Sequence, residues 1–582
     1  MLAGPLFSRE ALTAPRQLKH FLIRAGYIAA LVVIMYTAGQ ATFERRIIQD
    51  VGDLSRFGEF IASIFALVQL TLVTAAALLF SAGSVSQEKD RGTLILLLMT
   101  DLRDRELVYG KLLASLLIVL TLIGVSLPVF AFLLVLGGIT LEQVLWIEAI
   151  CLASAFAAGA WATLVAYWRE KTFQTLAISV LGGAIFLATV ESLALILGTD
   201  TPLGRFFGWL DPYRAMVAVL DPLAAQPLAR IPQVSALGPV LALGGLGLLL
   251  SLWTVWRVRV WNPSRHVFIA PPETATEAEA EANTPTAAVR PPRKIWDTPV
   301  LWREICTRAY GRKMIFIKLA YCLLAAAVWW SFARPGVDEG LVLGIIGRGG
   351  FAFVAISLLS LLLVNAQAVT SLTNERDAQT LELLLVTEIS AKEFIFGKLG
   401  GILYNTKEAI LVPVLFLAAS LIQGNLTLEN MIYILLGFGT LVLFVAMLGL
   451  HAGLSFGRSR TAIANSLGTV FFLFIGIFVC MMLIVEARSS FGLQLTPFLV
   501  FILGGSLGLW ASLTHRNPSP ALTLSAAILP FLTFYAIASF VLDSTLGVAL
   551  CVVSAYGFTA FAMLVPAISE FTVAIGRSQM QR

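Results

Sequence analysis

Apolar residues in this chain fall into long, nearly unbroken runs, not the short periodic stripes of a soluble domain. The runs lie at 22–39, 59–82, 107–137, 143–168, 173–198 and 236–258. After a polar gap they resume at 314–332, 341–370, 394–421, 430–455, 461–485, 495–514, 521–542 and 545–567. A stretch of ~20 apolar residues is what one helix needs to cross a bilayer, because hydrocarbon leaves every backbone N–H and C=O to be satisfied within the segment. The pattern predicts about fourteen spans and an all-α, polytopic membrane bundle. The 107–137 and 394–421 runs exceed the thickness of a bilayer, so they tilt or begin in the interface.

Composition narrows the picture. The chain is 58% hydrophobic and 13% charged, with a mean hydropathy of +0.86. A soluble domain is nearer a quarter charged, so soluble enzymes, disordered tails and nucleic-acid-binding domains are excluded. No cleavable signal peptide is expected, since Arg9, Arg16 and Lys19 interrupt the start and the run that follows is long enough to span. Of the 40 Lys and Arg, 30 fall on the side of the N-terminus and 8 on the other, with Arg348 and Lys407 left in or near spans. The positive-inside rule then places both termini in the cytoplasm of a cell membrane, expected to be a bacterial inner membrane.

The polar gap at 262–298 is rich in Pro, Ala, Thr and Glu and reads as a disordered cytoplasmic linker. It divides the chain into a first half at 1–261 with about six spans and a second at 299–493 with about five. About three further spans and a short cytoplasmic tail occupy 494–582. Charged residues within the runs are few: Glu148, Glu191, Arg348, Lys407 and Glu408. A charge at mid-membrane is costly, so each should sit at an interface, in a cavity or beside a partner. Lys407 and Glu408, a third of the way into their run, are the better candidates for lining a pathway. The five Cys and four His form no C-x-x-C pair or H-E-x-x-H spacing, so neither a disulfide framework nor a metal site is indicated.

The two halves are related. Residues 88–112, EKDRGTLILLLMTDLRDRELVYGKL, align without a gap on 375–399, ERDAQTLELLLVTEISAKEFIFGKL, at an offset of 287 with 12 of 25 positions identical. The shared residues include polar ones that hydropathy alone would not align: Glu88/Glu375, Asp90/Asp377, Thr93/Thr380, Thr100/Thr387, Glu106/Glu393 and Lys111/Lys398, with Gly110/Gly397 between them. A second match, Pro5-x-x-x-Arg9-Glu10 with Pro299-x-x-x-Arg303-Glu304, opens each half at an offset of 294. Both copies have the same orientation, so the repeat is parallel.

Each copy lies on the cytoplasmic side between the second and third spans. Leu94, Leu97 and Leu98, like Leu381, Leu384 and Leu385, fall at i, i+3, i+4 and predict one apolar face of a short surface helix. Thr100-Asp101 and Thr387-Glu388 break it, and a new helix starts near 104 or 391. Ser390 and Glu393 have capping-box spacing, while Asp101 or Asp104 would cap the first copy. Gly110 and Gly397 would let another backbone approach, and Lys111 and Lys398 would snorkel to the phosphate level. The unit is a lever: a surface helix joined by a tight turn to a span.

The pattern E-x-x-x-x-T-L-x-L-L-L followed by E-x-x-x-G-K-L resembles the permease subunits of ABC-2 type ABC transporters, here seen twice on one chain. Gly92, usual before Thr-Leu, is Gln379 in the second copy, and Glu382 in the second copy is Ile95 in the first. Asp101 and Glu388 stand where a proline often follows the leucines. The segments Pro5–Glu10 and Pro299–Glu304 look like the family's connecting helix. The resemblance implies a transmembrane transport subunit, mostly an exporter in such relatives. Its cytoplasmic loops would dock on a separate ABC ATP-binding subunit, with six-span halves face to face around a pathway for an unnamed substrate. The loop residues implied in coupling are Glu88, Asp90, Thr93, Leu94, Leu97, Thr100, Glu106, Gly110 and Lys111, and Glu375, Asp377, Thr380, Leu381, Leu384, Thr387, Glu393, Gly397 and Lys398.

The chain has no G-x-x-x-x-G-K-[ST], so it is expected to bind no cofactor, and ATP belongs on the partner. The segment at 199–235 is aromatic and amphipathic, fit for an outer-interface belt or a gate. Two other readings stay open: a membrane relay coupled to an ATPase without transport, and a polytopic membrane enzyme. The latter lacks any spaced acid–His or metal cluster.

Overall fold

The computed structural model describes residues 7–8, 12, 18–43, 51–169, 171–198, 201–221, 235–262, 296–306, 314–332, 341–342, 346–378, 380–381, 389–487, 491–515, 519–541 and 544–580. The first half contains α1 (Leu18–Phe43), α2 (Val51–Asp90), α3 (Thr93–Leu98), α4 (Asp104–Leu136), α5 (Leu141–Trp168), α6 (Thr172–Leu197), α7 (Pro202–Trp209), α8 (Pro212–Leu220) and α9 (Leu237–Trp261). The second contains α10 (Pro299–Cys306), α11 (Met314–Phe332), α12 (Arg348–Asp377), α13 (Ala391–Asn405), α14 (Lys407–Ile422), α15 (Leu428–Ser455), α16 (Ser459–Ala487), α17 (Phe491–Leu513), α18 (Pro520–Val541) and α19 (Thr545–Met580). A two-residue antiparallel pair, β1 (Leu341–Val342) with β2 (Ile346–Gly347), precedes α12. The fold is therefore an all-α multi-pass bundle.

Each of the fourteen apolar runs has become a helix, one of them broken. Among the described residues ten helices are long and apolar enough to cross a membrane, and α13 with α14, bent by 57° at Thr406, makes an eleventh. Ile315–Trp329 of α11 and Phe498–Leu513 of α17 are apolar but shorter, and α1 is not among the eleven. The expected linker lies, apart from its ends, outside the described residues.

The offset of 287 read from the loop motif persists far beyond it. The pairs α2 and α12 end at Asp90 and Asp377, and α4 and α13 start at Asp104 and Ala391. The helices α5 and α15 span Leu141–Trp168 and Leu428–Ser455, and α6 and α16 start at Thr172 and Ser459. Even the cap recurs: Thr140 Oγ1 accepts from the Gln143 N–H at 3.2 Å, and Thr427 Oγ1 from the Asn430 N–H at 3.3 Å. The repeat therefore extends beyond the third span of each half.

Packing follows the repeat. In the first half α5 lies between α2 and α9; in the second α15 lies between α12 and α19. The block at 494–582 is thus not packed as a separate unit, since α19 sits against α15 and α13, where Phe571 stacks on Phe394 with ring centroids 4.2 Å apart. The halves meet reciprocally. The helix α6 packs on α11 and α12, and its counterpart α16 packs on α1 and α2. The buried apolar side chains accordingly form two large clusters, each drawing residues from both halves.

Candidate functional site

The duplicated loop is built from a helix end, a tight reversal and a helix start. In the first copy α2 ends at Asp90, and Gly92 takes a left-handed φ of +70°, which costs a residue with a Cβ but not glycine. The chain then enters α3, whose Leu94 and Leu98 are buried with Leu97 packed beside them, the face expected from the leucine spacing. They meet Val85, Leu107, Tyr167 and Val258, from α2, α4, α5 and α9. The opposite side of α3 is open: Leu96 and Met99 are each 64% exposed. The start of α4 is capped differently from expectation. Neither Asp101 nor Asp104 caps; the Arg103 N–H donates to Glu106 Oε2 at 3.2 Å. Asp104 lies inside the first turn and pairs with Arg259 of α9. In the second copy Ser390 caps α13 as expected, accepting from the Glu393 N–H at 3.2 Å.

The paired acids and lysines of the motif face each other. Lys111 of α4 pairs with Glu88 of α2. Lys398 of α13 pairs with Glu375 of α12 at 2.7 Å. The threonines match too: Thr93 Oγ1 donates to the Glu88 carbonyl at 3.3 Å and Thr380 Oγ1 to the Glu375 carbonyl at 3.1 Å. The second member of each acid pair also has a duplicated partner. Asp90 accepts from Thr172 at the start of α6, and Asp377 from Ser459 at the start of α16. Thr172 and Ser459 stand at the same offset of 287. Their cation neighbours do the same work with carbonyls. Lys89 donates to Arg169 O at 2.9 Å, and Arg376 donates to Phe456 O at the equivalent position.

Snorkelling is therefore corrected. Lys398 is 1% exposed, and besides Glu375 it holds Glu304 of α10 at 2.7 Å and donates to Ser371 O at 3.3 Å. A carboxylate one helix away gives the ammonium a better partner than the phosphate layer. Arg303 closes the cluster by pairing with both Glu375 and Glu304. The four charges cancel, which is what a buried set requires. Burial alone would push the Glu304 carboxyl up, but Lys398 and Arg303 outweigh it and hold the carboxyl below the ordinary value. The Pro-x-x-x-Arg-Glu motif and the Glu-to-Lys motif, 72 residues apart in sequence at Arg303 and Glu375, thus form one site.

The helix approach expected at Gly397 is present. A Cβ there would lie 2.9 Å from Val300 Cβ, and one at Gly401 would lie 2.5 Å from Glu304 Cβ, so α10 lies on α13 with no room for a side chain. Gly110 is buried in α4. Arg9, Glu10, Leu384 and Thr387 lie outside the described residues. Leu381 packs against the core. Thr100 turns back on its own helix, donating to Leu97 O at 2.6 Å. The two copies approach each other where Arg91 lies 4.0 Å from Asp377.

Lys407 and Glu408 belong to neither loop. Glu408 pairs with Lys318 of α11 at 2.7 Å, and Lys407 lies 4.2 Å from the ring centroid of Tyr404. Glu191 is held by Arg214 at 2.6 Å, which ties α6 to α8 in the 199–235 segment. Arg348 begins α12. Glu148 is buried in the first half, accepting from Gln69 Nε2 at 2.7 Å and Ser126 Oγ at 3.0 Å.

The site thus belongs to a multi-pass bundle of two pseudo-equivalent halves, each with a braced elbow at the same end. Residues 17–257, the first half, match the family model described as ABC-2 family transporter protein. The first half is thus similar to ABC-2 family transporter proteins, and the 287-residue offset relates the second half to the first. Comparison with curated proteins gave no match.

Proposed function

We propose that this chain supplies both permease halves of an ATP-driven exporter on one polypeptide. On this reading each half is a six-helix unit, the second closed by α19 as the first is by α9, and α17 with α18 form an inserted pair. A separate ABC ATP-binding subunit docks at each loop and carries the ATP. Both termini lie in the cytoplasm, as the charge count suggests. The resemblance to ABC-2 exporters supports outward transport.

The observation that carries the proposal is the exposed apolar tip of α3, Leu96 and Met99, on a base fixed by the Glu88–Lys111 and Asp90–Thr172 pairs. Exposed leucine and methionine beside charged Asp101, Arg103 and Arg105 suit a protein socket. The duplicated acids brace the loop; the tip makes the contact. A push on α3 reaches α4 through the Glu88–Lys111 pair and α6 through the Asp90–Thr172 pair.

The experiment is a Leu96→Asp, Met99→Asp double variant expressed in the native cells. The expected result is normal membrane insertion with co-purifying ATPase activity reduced, the second loop being intact. Full retention of that activity would overturn the docking role.

A further inference from the structure

The inserted helices enclose space within the second half. A cavity of about 220 Å³ lies between α15, α16, α18 and α19, lined by side chains such as Leu441, Met481, Ala536, Phe540, Cys551 and Tyr556. A second, of about 40 Å³, lies between α16, α17 and α18, and shares Ile477, Thr533 and Ile537 with the first. The two are one apolar trough parted by three side chains.

Its chemistry is one-sided. Polar atoms at its wall are the Thr533 and Tyr556 hydroxyls, which bond each other at 3.1 Å, while Thr533 also donates to Leu529 O at 2.7 Å. Among the described residues no charged side chain lines it. A polar or charged ligand would find nothing to replace its hydration.

Its length and depth are those of one bilayer leaflet. Along α19 the lining runs from Val548 to Tyr556, and along α18 from Phe540 to Leu532. At the α-helical rise, each stretch spans ~12 Å. The apolar half of a bilayer is about 15 Å deep. The shallow end lies beside the α18–α19 connection. That is the membrane side away from the duplicated loops, because α18 starts next to His515, which stacks on Phe456 at the loop end of α15.

We propose that this trough holds one acyl chain of a membrane phospholipid from the leaflet opposite the loops. The headgroup stays at the rim and the chain end reaches the Thr533–Tyr556 pair. The inserted α17–α18 pair thereby makes a lipid-binding site particular to the second half. The site is independent of how the loops engage ATP hydrolysis.

The test uses the full chain in vesicles containing phosphatidylcholine with a diazirine at mid-chain. After irradiation, adducts are mapped by mass spectrometry. The expected result is labelling concentrated on peptides carrying Met481, Ala536 and Cys551, above that on the lipid-facing Leu248 and Leu249 of α9. Ala536→Trp, which fills the trough, should cut the cavity labelling about tenfold, as loss of one tight-binding increment does, and leave the α9 labelling unchanged. Cys551→Phe closes the trough from the opposite wall and serves if Ala536→Trp does not fold. Cavity labelling no higher than on α9, or unchanged in a folded filled variant, would overturn the proposal.

Discussion

The two halves of this protein agree at one end and differ in the middle. At the loop end, Glu88–Lys111 and Asp90–Thr172 in the first half match Glu375–Lys398 and Asp377–Ser459 in the second. Deeper in, the correspondence fails. The first half buries Glu148 with Gln69 and Ser126. At the same offset the second half has Leu435, Ile356 and Pro413. The second half in turn has α17, α18 and their apolar trough where the first has the short helices α7 and α8. The difference teaches that duplication has been kept where two equivalent elbows are needed and relaxed within the membrane. Equal elbows suit two equal motor subunits; unlike interiors suit a pathway whose two walls meet different parts of a cargo.

Even the loop ends are unlike in burial, and this allows the comparison to be broken. Lys398 and Glu375 are 1% and 15% exposed, whereas Lys111 and Glu88 are 18% and 22% exposed. Lys398→Ala leaves two largely buried acids sharing Arg303 as their one cation in the cluster and should cost about 3–5 kcal/mol. Lys111→Ala should cost nearer ~1 kcal/mol. Thermal unfolding of the purified variants, followed by tryptophan fluorescence, measures both. Equal losses would show that burial does not separate the two elbows.

The hydroxyl partners should cost less and more evenly. Thr172→Val and Ser459→Ala each take a donor from a partly buried aspartate, with an expected loss of about 1–3 kcal/mol. A loss confined to one half would mean that only one elbow is braced by its α6-type helix. The same unfolding measurement decides.

The smallest effect is a pH dependence at Glu304 of the second half. Glu304 has its folded-state carboxyl value held below the ordinary 4.5. Its contribution is therefore fully present above that value and is lost as pH falls through the lower folded-state value. Wild type should exceed Glu304→Gln in melting temperature near neutrality, and the gap should close on acidification below 4.5. A gap that widens with acid would reverse the assignment.

Much of this was legible in the sequence, for reasons that differ from residue to residue. Apolar run length fixed nearly every helix, because a bilayer leaves a spanning chain few alternatives. The motif's Glu and Lys stood out as identities among leucines, and their pairing follows from lying on adjacent helices. Thr172 and Ser459 did not stand out, being similar but not identical and far from the motif. Following the 287-residue offset past Leu399 would have found them, and Thr140 with Thr427 as well. The contact of Arg303 with Glu375 had no local signal, since only tertiary packing of α10 on α13 brings them together. The break at Thr406 and the packing of α19 on α15 likewise depend on neighbours, which hydropathy does not record.

The central claim is that the elbow tip on α3 is where an ATP-binding subunit engages. The most direct measurement places a photo-cross-linking amino acid at Leu96 or Met99, irradiates intact native cells, and identifies the attached peptide by mass spectrometry. The result expected is a P-loop protein joined at both positions, with none joined from buried Leu94. Attachment to lipid alone, in cells where the full-length chain is inserted and folded, would contradict it and make α3 a membrane anchor.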